Sequence, residues 1–253
     1  MITKNSTPSD VIKLNRNTEH LFNRYGISKS NKAIYKYSLS KNLNHNLIID
    51  LLECYEDIEK VKLHKFSKYR LPLLVDYLKK SHDYYISKRI PEIEQSISIL
   101  DFENESPPIT SIVKIFFKEY KKDLIAHFKT EEEVVFPFAL NLYNAVYFNT
   151  KLNPATFEIE KHKALTFLKS HSENDSELGK LHKTLLNFKL PTNSLSYFHI
   201  LLNQLKNFHE DLHIHDSIED VVLMKKITFL LSKLDDNDWR TPPWRHRFSF
   251  TWK

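Results

Sequence analysis

A chain of 253 residues can bury a sizeable core, and its composition, with two glycines and 41% apolar residues, argues against a turn-rich sheet protein and for long helices. One cysteine, Cys54, excludes an intramolecular disulfide framework and any cysteine-rich zinc or iron–sulfur site, as suits a reducing compartment. The net charge of +5 comes from scattered lysines, the pattern of a solvated surface rather than a nucleic-acid patch; with no leader and no long apolar run, the expectation is a cytoplasmic protein without a membrane span.

Residues 1–57 read as several short helices forming a small N-terminal domain. Ser9 stands as a cap before Val11 and Ile12, and Gly26 follows Tyr25 where a helix C-terminus often places glycine. Residues 58–69 are highly charged with little apolar periodicity and read as a linker. Pro72 suits the first turn of a new helix, whose N–H groups lack partners in any case. Four long helices are then expected: 71–100, kinked or interrupted at Pro91; 110–147, bent at Pro137; 154–188, with a break near His171; and 195–234. Short connections favour antiparallel neighbours, so the predicted fold is all-α, an up-down four-helix bundle over 70–234. The tail, 235–253, holds all three tryptophans and, after Asp238, no acidic residue. It reads as a strap packed on the bundle, with docking onto a membrane, a nucleic acid or a partner as the alternative.

One short pattern is written twice: His127 followed by Glu131, and His215 followed by Glu219. Residues four apart stack on one helix face, so each copy sets an imidazole beside a carboxylate. Both copies lie on apolar seams. The first runs Val113, Phe117, Tyr120, Leu124, His127, Glu131, Val134, Phe138; the second Leu201, Leu205, Phe208, Leu212, His215, Glu219, Val222. A carboxylate at such a position must be protonated, paired or bound to a cation. The bland reading is a His–Glu hydrogen bond within each helix or a polar network between helices. Two matching pairs on two seams favour a di-metal carboxylate site instead.

Two pairs supply too few side chains for two metals. His82, on a seam with Leu71, Val75, Leu78 and Tyr85, is a third candidate ligand. The corresponding place on the third helix holds Asn174, with His171 one turn earlier on the same seam. Asparagine offers only a neutral carbonyl oxygen, a poor iron ligand beside imidazole, so the choice between Asn174 and His171 stays open. His162, His182, His199, His209, His213 and His246 are off register or lack a seam-facing carboxylate partner.

These residues, in order, resemble the di-iron proteins that repair iron–sulfur clusters, a hemerythrin-like family often called RIC. The resemblance covers about residues 70–225. It rests on His82 and Asp83 followed by Ile90, Pro91 and Glu92, then His127, Glu131, Glu132, Phe136 and Pro137, then His215 and Glu219. It implies two non-haem iron ions, with Glu131 and Glu219 bridging and His82, His127 and His215 as terminal ligands. Where the family has Glu-His-Asp, this chain has Glu173, Asn174 and Asp175. Residues 8–57, notably Phe22 to Gly26, resemble the family's small helical domain, but its cysteine pair is missing and Ser28, Lys29 and Ser30 stand near that place, so no thiol chemistry is expected there. The implied function is repair of clusters damaged by nitrosative or oxidative stress, by iron donation, with damaged iron–sulfur proteins as partners. The alternatives are a hemerythrin-like oxygen or nitric-oxide binding protein and a bundle whose site no longer holds metal. The oligomeric state stays open, a homodimer included.

Overall fold

A computed structural model describes residues 2–57, 61–103, 108–171, 177–187 and 195–236. Every regular element among them is helical. None of these helices is long and apolar enough to cross a membrane.

Four short helices come first: α1 (Pro8–Leu14), α2 (Thr18–Arg24), α3 (Ile34–Ser40) and α4 (His45–Cys54). The cap of α1 is Thr7, whose side chain accepts from the Asp10 N–H, with Pro8 in the first turn. Ser9, expected as the cap, lies inside the helix and is buried. Proline explains the shift: its fixed φ suits the first helical position, which moves the cap one residue before it. Gly26 ends α2 as expected. It takes φ of 59°, and the Ile27 N–H reaches the Phe22 carbonyl at 2.8 Å, closing the helix end in a left-handed turn.

Within the stretch expected to be a linker, Leu63–Lys68 forms a 3-10 helix with the Phe66 ring fully buried. Tyr69 OH donates to Asp50 Oδ2 at 2.5 Å, tying this segment to α4. One aromatic on a single tight turn has no repeat to reveal it.

Three long helical rods follow, each interrupted by a π-helical turn. The first is α5 (Leu71–Tyr84), a π turn at Tyr85–Arg89, and α6 (Ile90–Glu103). The second is α7 (Pro108–Thr130), a π turn at Glu131–Val135, and α8 (Phe136–Phe148). Next come α9 (Pro154–His171) and α10 (Glu177–Leu186). The third π-bearing rod is α11 (Leu195–Ser217), a π turn at Ile218–Leu223, and α12 (Met224–Asp236). In each π turn one backbone N–H reaches back five residues: Ile90 to Tyr85, Phe136 to Glu131, Met224 to Glu219. Pro91 and Pro137 stand just after two of these turns. A proline ring clashes with the carbonyl four residues back and cannot donate to it, so a wider turn at that point relieves the conflict without breaking the rod. The third turn contains no proline.

The rods pack as α6 on α7 and α11, α10 on α11, α5 on α8, and α8 on α12 and α9. The buried apolar residues divide into two clusters. One joins α1–α4 to α5, α8, α9 and α12; the other joins α6, α7, α10 and α11. A full buried leucine or phenylalanine side chain contributes about 1.5–3 kcal/mol, so this double core is the main source of stability. The polar candidates lie where the two clusters meet.

Candidate metal centre

Three rods bring their inward polar residues to one level. His82, Glu131 and His215 are all buried, and each offers a ligand atom within 4.8 Å of the others. His82 Nε2 lies 2.9 Å from Glu131 Oε2 and 3.3 Å from His215 Nε2. His127 Nε2 lies 2.5 Å from the other oxygen, Glu131 Oε1. His215 Nε2 is 3.7 Å from Glu219 Oε2, and Glu219 is also buried. One carboxylate, Glu131, therefore straddles two imidazoles held by different rods.

These separations fit a shared cation. Bonds of about 2.0–2.2 Å from a metal to imidazole nitrogen or carboxylate oxygen put neighbouring ligand atoms about 3 Å apart. The His82–Glu131 and His82–His215 spacings match that edge. The donor set, imidazoles and carboxylates with no thiolate, suits iron or manganese better than a soft-metal site. Its surroundings are apolar: the His82 ring stacks on Phe128 with centroids 4.1 Å apart and on Phe136 at 5.6 Å.

The seams of α5 and α11 run as expected, with Leu71, Val75, Leu78, His82 and Tyr85 buried, and every position from Leu201 to Val222 named for the second seam buried as well. The seam of α7 differs. Val113 and Phe117 are buried, but Tyr120 and Leu124 are only half-buried, and Phe128 takes the inward place beside His127. His127 consequently keeps 27% of its side chain exposed, correcting the expectation that both His–Glu pairs are buried. The π turn then places Val135 rather than Val134 inside. The ring of His127 rests on Phe167 of α9, centroids 5.0 Å apart.

The two third-helix candidates remain expectations. His171 is the last residue of α9, and its side chain lies outside the described residues. Asn174 lies outside them altogether.

The role of Glu132, quoted above only as part of the resemblance, was missed from the sequence. Its Oε1 lies 2.9 Å from His82 Nδ1. A carboxylate can only accept, so Nδ1 carries the proton and the ring is held with Nε2 turned toward Glu131. The available signal was the run Glu131, Glu132, Glu133, which places an acid next to the expected ligand.

A second buried polar cluster lies one turn before His215 on α11. Arg24 of α2 is fully buried and pairs with Asp211. Tyr55 OH donates to Asp211 Oδ1 at 2.6 Å, and Arg24 Nη2 donates to Tyr85 OH at 3.1 Å. Asp211 holds the Arg24 guanidinium charged despite its burial, and burial with the nearby Asp211 pushes the Tyr55 and Tyr85 phenols well up. The Tyr85 ring meets the His215 ring edge-on, centroids 5.9 Å apart, so the two clusters share a wall.

No family model, no curated protein and no solved structure matches the chain.

Proposed function

We propose that the protein is a non-haem di-iron protein of the iron–sulfur cluster repair type, built as an up-down four-helix bundle over residues 70–234 behind a small helical N-terminal domain. The observation that carries this reading is the placement of Glu131 between His82 and His127, with His215 and Glu219 adjoining. A carboxylate with one oxygen toward each of two imidazoles has the disposition that bridging two cations requires. Glu131 and Glu219 would bridge, and His82, His127 and His215 would terminate, with His171 or Asn174 as the remaining candidate. Iron held there would supply redox chemistry and, in the repair reading, would itself be the cargo.

The chain's own residues supply the rest. Glu132 fixes the tautomer of His82. Phe128 and Phe136 exclude water from that imidazole. The partial exposure of His127 opens one side of the centre, which suits release of iron to a damaged cluster protein and also favours a second reading, binding of a diatomic such as nitric oxide or oxygen.

Iron quantification on protein purified without oxygen tests the proposal. About two irons per chain are expected, and Glu131→Ala and Glu219→Ala should each remove both, because a bridge serves two metals. Loss of a single iron in either variant rules out bridging by that residue. Restoration of a nitric-oxide-damaged cluster enzyme by the iron-loaded protein, and not by Glu131→Ala, selects repair over sensing.

A further inference from the structure

Beside the π turn Ile218–Leu223 the structure forms a half-open cavity of about 830 Å³, lined by none of the metal-centre residues. It lies between the 3-10 helix Leu63–Lys68, the start of α5, the end of α8 and the start of α12. The size falls in the range of organic-ligand pockets, about 300–1,000 Å³.

Its lining has two chemistries. The apolar part includes Leu71, Val222 and Leu230, with Tyr147, Phe148 and Phe229 at its edge. Those three aromatic side chains are 55%, 67% and 52% exposed, an unusual concentration of large apolar surface in water at one place. The polar part is cationic: Lys68, Arg70, Lys225 and Lys226 line the cavity, and no Asp or Glu does among the described residues. Lys68 is paired with Asp50, and Lys226 Nζ donates to the Ser67 carbonyl at 2.7 Å. Arg70 and Lys225 enter no ion pair among the described residues and are exposed. Arg70 is also the residue at the N-terminus of α5, so the positive end of that helix dipole opens on the same space.

From this we infer that the cavity binds an amphipathic organic anion, an apolar body carrying one carboxylate, with the body against the aromatic edge and the charge on Arg70 and Lys225. The site is separate from the metal centre and goes beyond the proposed function. The C-terminal tail is a poor occupant by charge, since 239–253 carries Arg240, Arg245, Arg247 and Lys253 and no acidic residue.

Calorimetric titration of the full chain with decanoate, decanol and inorganic phosphate tests this. Decanoate should bind at one saturable site, decanol at least about tenfold more weakly, and phosphate alone should neither bind nor compete. The double variant Arg70→Glu/Lys225→Glu, at two exposed positions, should weaken decanoate by about tenfold or more and leave decanol unchanged. Phe229→Ser should weaken both, which reads the apolar wall without touching charge. Equal binding of decanol and decanoate, competition by phosphate, unchanged decanoate binding in the charge-reversed variant, or no saturable decanoate binding would each overturn the assignment. The metal content of these variants should stay at the wild-type level, so failure here is distinct from failure of the di-iron reading.

Discussion

Two buried polar clusters share α11, one turn apart, and they neutralise charge in different ways. At Asp211 the carboxylate meets Arg24, a cation covalently part of the chain and always charged, and the Tyr55 hydroxyl, while the Tyr85 hydroxyl accepts from Arg24 and donates to the Asp211 main-chain carbonyl. At Glu131 and Glu219 the carboxylates meet imidazoles, which can equally turn a lone pair toward a metal. The first cluster fastens α2 to α5 and α11 permanently. The second has donor atoms at metal-edge spacing, and in the proposed reading its neutralising cation would be an exchangeable metal. Burial by itself therefore does not distinguish structural from functional carboxylates. The identity of the facing group does.

The sharpest way to break this comparison is to remove the built-in cation. Arg24→Leu should destabilise the fold by about 3–5 kcal/mol with or without metal, because Asp211 is left buried and uncompensated. Adding Asp211→Leu should recover most of that loss, as read by chemical unfolding. A metal-dependent penalty in Arg24→Leu would merge the two clusters into one. Next in size, Glu132→Ala should weaken metal affinity by about 10–100-fold while leaving metal-free stability close to wild type, measured by chelator competition. An unchanged affinity would show that the His82 tautomer needs no help.

The smallest effect concerns pH. Burial, then the nearby Arg89, lowers the His20 pKa to about 4 from its ordinary 6.5, and its Nδ1 lies 2.8 Å from Tyr84 OH. The folded state thus holds His20 neutral while the unfolded chain takes up a proton. Its contribution to stability is complete above pH 6.5 and is lost progressively as pH falls toward about 4. Unfolding titrations between pH 7 and 5 should show a shallower decline in His20→Gln than in wild type. Parallel slopes would remove His20 from the account.

Much of the fold and centre was legible because helices write their buried face at fixed spacing. The seams through His82 and His215 repeat every three or four residues, and the structure buries every position on them. Rod boundaries followed from prolines and loop residues to within a few positions. What escaped notice lacked a period. Arg24 looks like any surface arginine until Asp211, far along the chain, is brought to it. Phe66 packs from a single tight turn. At His127 the buried place goes to its neighbour Phe128, a choice that the three-four spacing does not record. Prolines follow two of the π turns, yet no proline follows Ile218–Leu223, which shares an acidic pair and Val-Val with Glu131–Val135 and none of these with Tyr85–Arg89.

Those three widened turns also constrain how the chain can change length. Each holds one residue more than a regular spiral needs. Excising Lys88, Val134 or Asp220 would restore a tidy ladder and leave everything beyond on its present face, whereas the same loss from a regular stretch would swing all that follows by about 100° around the rod axis. Deleting Lys225, inside α12, would carry Ile227 and Leu230 off the buried face and put Thr228 in the place of Ile227. A single-codon deletion stands a chance of surviving at the widened turns and not in the regular stretches between them.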